Sequence, residues 1–275
     1  MNQFAVPEWT SWDRGHECSW YFIENDSADG TRAALEAFVR APGRRARLLS
    51  GRLARTFRGN RLSTNAGRIF AIAEARNALL DAAAADIAAA EWVFVLDADI
   101  YYTPMALLNL AITAPADAAA VVPYTEQVER PGTSGAEPIP RAARVPHAPG
   151  AAACTLRHYY DTFSSFDAAG STYYPWCAWA CGRGCGARTG RSAAPGAGPV
   201  VRVRSGFGGA AAVRPGPLAS GAVRWGSLCL EGASTGATSI CEHVLFFDRL
   251  RAVALVTGQP SEVYVQPGVR AWRTK

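Results

Sequence analysis

Lysine is almost missing from this chain. Lys275 is the only one in 275 residues, although Lys+Arg together number 28 and the formal net charge is +5. With arginine and alanine both abundant, the basic balance reads as compositional bias rather than as a nucleic-acid patch, so nucleic-acid binding is not expected. The same shortage argues against phosphatases that attack through an aspartate and need a basic residue, usually lysine, beside it. No window approaches the ~18 consecutive apolar residues of a membrane span. Met1–Gly15 also lacks the charged and apolar regions of a secretory signal, so a soluble chain is expected. No G-x-G-x-x-G follows the first apolar strand, which excludes a dinucleotide-binding dehydrogenase. The Cys count of 7 is odd and without the C-x2-C spacing of a zinc site. Cys177, Cys181 and Cys185 are equally compatible with a disulfide and with plain thiols.

What is present is the composition of a globular protein, 49% hydrophobic and 19% charged. One domain over 1–275 is expected, with a first half at 1–122, a Pro/Gly/Ala/Ser-rich stretch at 123–200 and a last part at 201–275. Trp20–Ile23 is a short apolar strand that runs into a polar turn. Thr31–Arg40 follows as a helix, capped by Asp29 or Thr31 and stopped by Pro42-Gly43. Ala46–Ser50 is a second strand, and a long helix spans about 65–90. Trp92–Leu96 is a continuous apolar run, as in a strand buried on both faces. Thr103-Pro104 opens another helix, and Ala118–Val122 returns as a strand. Further on, Val200–Arg204 and Glu262–Val265 read as strands and Val244–Ala254 as an amphipathic helix. Strand-helix alternation predicts an α/β fold with a mostly parallel central sheet flanked by helices. In such sheets ligands bind beyond the carboxyl ends of the strands, which is where Asp26, Asp97 and Asp99 fall.

Asp97-Ala98-Asp99 is the sharpest motif. Residues i and i+2 of an extended chain project to one side, so both carboxylates can converge on one hard divalent cation, Mn²⁺ or Mg²⁺. Such a cation bridges to a diphosphate and stabilises its departure. The same triplet also occurs in solvated turns. Positions 69, 72, 73, 76, 79 and 80 trace one helix face on which Arg76 alone is polar. Its head either snorkels to solvent or meets a phosphate or an aspartate at the crevice. Glu242-His243 offers a carboxylate for proton transfer and an imidazole that can complete a metal shell, or is simply a helix start. In Ser205-Gly206-Phe207-Gly208-Gly209 the glycines allow close approach of backbone to a ligand, or a tight turn. Tyr173, Tyr174, Trp176 and Trp179 suit stacking on sugar rings, and equally suit a core.

Four blocks together resemble the fungal capsule-type α-1,3-mannosyltransferase family and related GT-A enzymes. They are Tyr21–Thr31, then Arg68-Ile69 with Ala75-Arg76-Asn77, then Val93–Asp99, and last Ser205–Gly209 with Cys241-Glu242-His243. They span about 21–250 in the family's order. The resemblance implies a GT-A, Rossmann-like fold and metal-dependent transfer of a sugar, with retention favoured, from a nucleotide sugar to a glycan or other hydroxyl acceptor. GDP-mannose is the plausible donor and a UDP-sugar the alternative. It implies Asp97, Asp99 and His243 around the metal, Glu24, Asn25, Asp26, Arg76, Asn77 and Gly208 around the donor, and Glu242 with Asp97 in catalysis. Family members carry a further strand ahead of the Tyr21 block. The twenty residues before it here show no clear strand, so the expected sheet lacks its first strand. A different class of function, a non-catalytic nucleotide-sugar or glycan-binding module of the same fold, is compatible with that loss. The cytoplasm is the default location, and the Golgi lumen the alternative for an excised catalytic domain.

Overall fold

The computed structural model describes residues 17–24, 27–50, 66–98, 100, 102–128, 157–159, 165–170, 200–226, 228–230 and 238–274. Strand β1 (Ser19–Glu24) leads through helix α1 (Thr31–Arg40) to β2 (Arg45–Ser50), which pairs with β1 in parallel. The Asp29 side chain accepts the Thr31 backbone N–H at 2.9 Å, so the expected acid closes the helix start from one place before the Gly30 cap. Helix α2 (Ala66–Ala89), strand β3 (Val93–Leu96) and helix α3 (Pro104–Ile112) follow. Thr103 caps α3 by accepting the Ala106 N–H. The chain continues through β4 (Ala118–Val128), β5 (Arg157–Tyr159), β6 (Phe166–Asp167), β7 (Val201–Ser205) and β8 (Ala210–Val213). A short helix α4 (Pro215–Ala219), strands β9 (Leu228–Leu230) and β10 (Thr238–Ile240), helix α5 (Glu242–Val256) and β11 (Glu262–Thr274) complete the described elements.

The fold is mixed α/β, but the mostly parallel sheet predicted from strand-helix alternation is corrected. The seven-stranded sheet has the order β3-β8-β4-β11-β7-β6, with β5 beside β4, and only β4 and β11 pair in parallel. The reason lies in β8. Strands β3 and β4 are both antiparallel to it, so they run in the same sense, as the crossover through α3 requires, but they are not neighbours. The later strand β8 is inserted between them. Among the described residues β1 and β2 form a separate two-stranded sheet.

Side chains of the large sheet alternate between two cores, which is why β3 and β8 are apolar throughout. Val93, Val95, Ala211, Val213, Val263 and Val265 face the layer of α2 and α5, where Leu80, Ile87, Phe246, Phe247 and Leu250 pack. Phe94, Leu96, Ala210, Ala212 and Tyr264 face α3, with Leu107 and Leu110. Strand β4 runs on past Val122, through part of the stretch predicted to be loop-rich. Its pairing with β11 shifts between Gln266 and Arg270, opposite Pro123, which has no N–H to give a ladder. Most of 123–200 lies outside the described residues, including Cys177, Cys181 and Cys185 and the aromatic cluster Tyr173, Tyr174, Trp176 and Trp179. No helix among the described residues is long and apolar enough to cross a membrane.

Candidate functional site

A cavity of about 1380 Å³ runs along the whole of β1 and β3, from Glu17 and Glu91 at their amino ends to Glu24 and Asp97 at their carboxyl ends. Glu24 from the end of β1, Arg76 from α2 and Asp97 just after β3 line it, together with Trp20, Leu79, Val95 and Trp225.

Arg76 organises the polar end. Its stem belongs to the apolar face of α2, and its side chain is only 11% exposed, so the head cannot reach bulk water and must be paired. One arm, Nη2, donates to Asp97 Oδ1 at 2.8 Å, and the other, Nη1, donates to Glu242 Oε1 at 2.5 Å. The Phe207 ring lies 5.0 Å and the Trp225 ring 5.9 Å from the guanidinium carbon. Burial by itself would push the Arg76 pKa down. The attraction of Asp97 and Glu242, with their hydrogen bonds, outweighs it and raises the pKa, so Arg76 is fixed as a cation. Two carboxylates share this one guanidinium, which leaves the cluster net negative. Asp97 turns the excess toward the cavity: its side chain is 29% exposed, and Oδ2 has no hydrogen-bond partner among the described residues.

Asp97 is held from behind by a turn. Its backbone N–H donates to the Gly209 carbonyl at 2.8 Å. Gly208 and Gly209 adopt φ of +59° and +81°, and a Cβ on Gly209 would stand 2.1 Å from Ile100 Cγ1. The Thr125 hydroxyl donates to the Gly208 carbonyl at 2.5 Å. Gly208 is thus placed as part of the support under Asp97, its open side filled by Thr125.

Glu242 and His243 begin α5, and both are buried. Glu242 accepts from Arg76 through Oε1, and the Cys241 thiol donates to Oε2 at 3.5 Å. His243 stacks on Phe207 with centroids 3.8 Å apart, and its Nε2 is 3.6 Å from Glu242 Oε1. Burial, and then the nearby Arg76 charge, press the His243 pKa well below the ordinary imidazole value, so the ring is neutral. Its Nδ1 has no hydrogen-bond partner among the described residues. Ligand-capable atoms of Cys241, Glu242 and His243 all lie within 4.8 Å of one another, a group that does not include Asp97. Sulfur and nitrogen donors of this kind suit softer metals than Mn²⁺ or Mg²⁺.

Asn77 makes a two-way clamp. Its amide nitrogen donates to the Trp225 carbonyl at 3.0 Å and its amide oxygen accepts the Trp225 N–H at 2.9 Å. Trp225 is thereby set against α2, and its ring stacks on Phe246 of α5 with centroids 4.0 Å apart. Glu24 is buried and accepts the Ser27 N–H at 2.5 Å, and Arg32 Nη1 lies 3.9 Å away.

Of the residues singled out from sequence, Glu24, Arg76 and Asp97 meet at the cavity. Asn77, Gly208, Glu242 and His243 are not among the residues that line it and support those that do. Asn25, Asp26 and Asp99 lie outside the described residues. Sequence reasoning missed Trp225 and Thr125, and it singled out Gly209 only as part of the Ser205–Gly209 turn. Trp225 sits in a stretch with no periodicity, and Thr125 lies in the part of β4 expected to be loop. Compared with models of protein families, with curated proteins and with solved structures, the chain matches none.

Proposed function

We propose that the chain is a cation-dependent GT-A-type glycosyltransferase, which moves a sugar from a nucleoside-diphosphate donor to a hydroxyl of a glycan or similar acceptor. GDP-mannose is the donor favoured by the resemblance, with a UDP-sugar as the alternative. The observation that carries this reading is that Asp97, paired with the buried Arg76, borders a cavity that Glu24 also lines, both carboxylates standing at strand carboxyl ends.

The charge balance supports a cation in particular. Among the described residues Asp97 and Glu242 share the single charge of Arg76, so this end of the cavity favours a cation over a bare diphosphate. The donor set fits a hard cation: Asp97 presents an oxygen without a partner among the described residues, and Mn²⁺ and Mg²⁺ prefer carboxylate oxygen. Asp97 and Asp99 would hold it. When bound, the cation supplies Lewis-acid neutralisation of the departing nucleoside diphosphate. Glu24 presents a carboxylate that accepts hydrogen bonds from donor hydroxyls. Arg76 holds Asp97 at a fixed angle before the cation is loaded and brings a permanent positive charge to the diphosphate end. Glu242, sealed behind Arg76, works by positioning that guanidinium. Trp225, locked by Asn77, closes the cavity wall beside it and excludes water.

Incubation with sugar-labelled GDP-mannose or UDP-glucose, Mn²⁺ and a panel of oligosaccharides tests the reading. Label should appear on an oligosaccharide or, by slow hydrolysis, as free sugar, and Asp97→Asn should stop both. Donor binding without either product would instead support a binding module of the same fold.

A further inference from the structure

Arg76 divides its fork between unlike partners. Toward Glu242 it faces a side chain 7% exposed, and toward Asp97 one that is 29% exposed and borders the cavity. The Glu242 end is anchored further. The Cys241 thiol occupies the other Glu242 oxygen, and Phe207 and Trp225 flank the guanidinium, with Trp225 itself clamped by Asn77. The Asp97 end has one hydrogen bond and an open side.

We propose that Arg76 is the resident counter-ion of Asp97, and that a divalent cation takes its place there. Loading the cation then frees one arm of the guanidinium to donate to the anionic oxygens of the donor while the other arm stays on Glu242. This rests on the cation-dependent reading above and adds an order of events: cation first, then the arginine arm, then the diphosphate. The physical ground is that the Asp97 carboxylate would stand between two positive groups, the guanidinium on Oδ1 and a dication on its open side. The dication carries twice the charge, and repulsion between it and the guanidinium is relieved by withdrawing the arm that is less firmly held. Withdrawal leaves no donor stranded, because Arg76 lines the cavity and its freed arm would meet phosphate oxygens there, the partner for which a guanidinium fork is suited. The device also keeps Asp97 compensated before the cation is loaded, when a lone half-buried carboxylate would be costly.

Two measurements test it. In the wild-type chain the Arg76 side-chain Nε–Hε resonance, assigned by its loss in Arg76→Lys, should shift saturably as Mg²⁺ is added and should exchange faster with water. In a Mn²⁺ titration followed by the electron spin resonance of the free ion, Arg76→Gln should bind at least about tenfold more tightly than wild type, as expected when a competing charge is removed. Arg76→Lys replaces it if the glutamine variant does not fold, with a smaller gain expected because lysine cannot span both carboxylates. Mg²⁺ that raises the melting temperature while the Arg76 resonance stays unmoved overturns the exchange and leaves the cation site standing. Affinity unchanged or lowered in both Arg76 variants does the same. If Mn²⁺ and Mg²⁺ bind none of these proteins, the exchange and the cation-dependent reading fall together.

Discussion

Asn77 commits both ends of its side-chain amide to the Trp225 backbone, so its removal strands a buried peptide N–H and a carbonyl. At about 1–3 kcal/mol per unsatisfied group, Asn77→Leu should lower the unfolding free energy by roughly 2–4 kcal/mol in urea titration. A loss under about 0.5 kcal/mol would mean that the clamp is not formed. His243 gives a pH signature. Its folded pKa is depressed by burial, so the unfolded chain takes up the proton more readily, and stability falls as the pH drops below the ordinary imidazole value. In chelator-treated protein this residue should contribute a slope approaching 1.4 kcal/mol per pH unit below about pH 6.5. His243→Phe, which keeps the stack on Phe207, should flatten that part of the profile, and an unchanged profile would contradict a buried neutral ring. The sequence exposed Arg76 because it broke an apolar helix face. It did not expose the partners, because Asp97 and Glu242 come from elements 21 and 166 residues away.

At the scale of elements, the turn between β7 and β8 matters most for the site, because Gly209 fixes the Asp97 backbone and leads directly into the strand inserted beside β3. Gly209→Ala would place a methyl 2.1 Å from Ile100 Cγ1 in a left-handed backbone conformation. Left-handed strain of about 1–2 kcal/mol and overpacking of about 1–3 kcal/mol should together destabilise the fold by roughly 2–5 kcal/mol in thermal or urea unfolding. Gly43→Ala is a useful contrast. Its φ is +79° but no atom stands within 4 Å of the added Cβ, so it should show the strain cost alone. Helices and strands with strong punctuation were legible: α1 has the predicted bounds, and α2, β3 and α3 differ from expectation by a residue or so. Strand β8 was not, since Ala-Ala-Ala-Val carries no strand preference and owes its conformation to two flanking strands. The far end of β4 was hidden by Pro123, which marks a register shift here instead of an end.

For the whole molecule, the sequence pattern conveyed layers and the shared sense of β3 and β4, but neither the strand order nor the mostly antiparallel pairing. Apolar strands separated by helices imply a sheet covered on both faces, and β3 and β4 do run in the same sense. Nothing local in 93–128 announces that residues 210–213 will separate them, because that insertion depends on a pairing more than eighty residues distant. The cavity lies along β1 and β3 themselves, so its walls do not depend on which strand pairs beyond them. A melting curve of the chain with Mn²⁺ and either GDP or UDP, each present and absent in turn, tests the proposed site most directly. Stabilisation of about 2.7 kcal/mol, several degrees in Tm, is expected at a hundredfold excess over Kd when cation and nucleotide are both present. Neither alone should match it, and Asp97→Ala should abolish it. A folded wild-type chain whose melting temperature is indifferent to every combination would contradict a cation-held nucleoside diphosphate at Asp97.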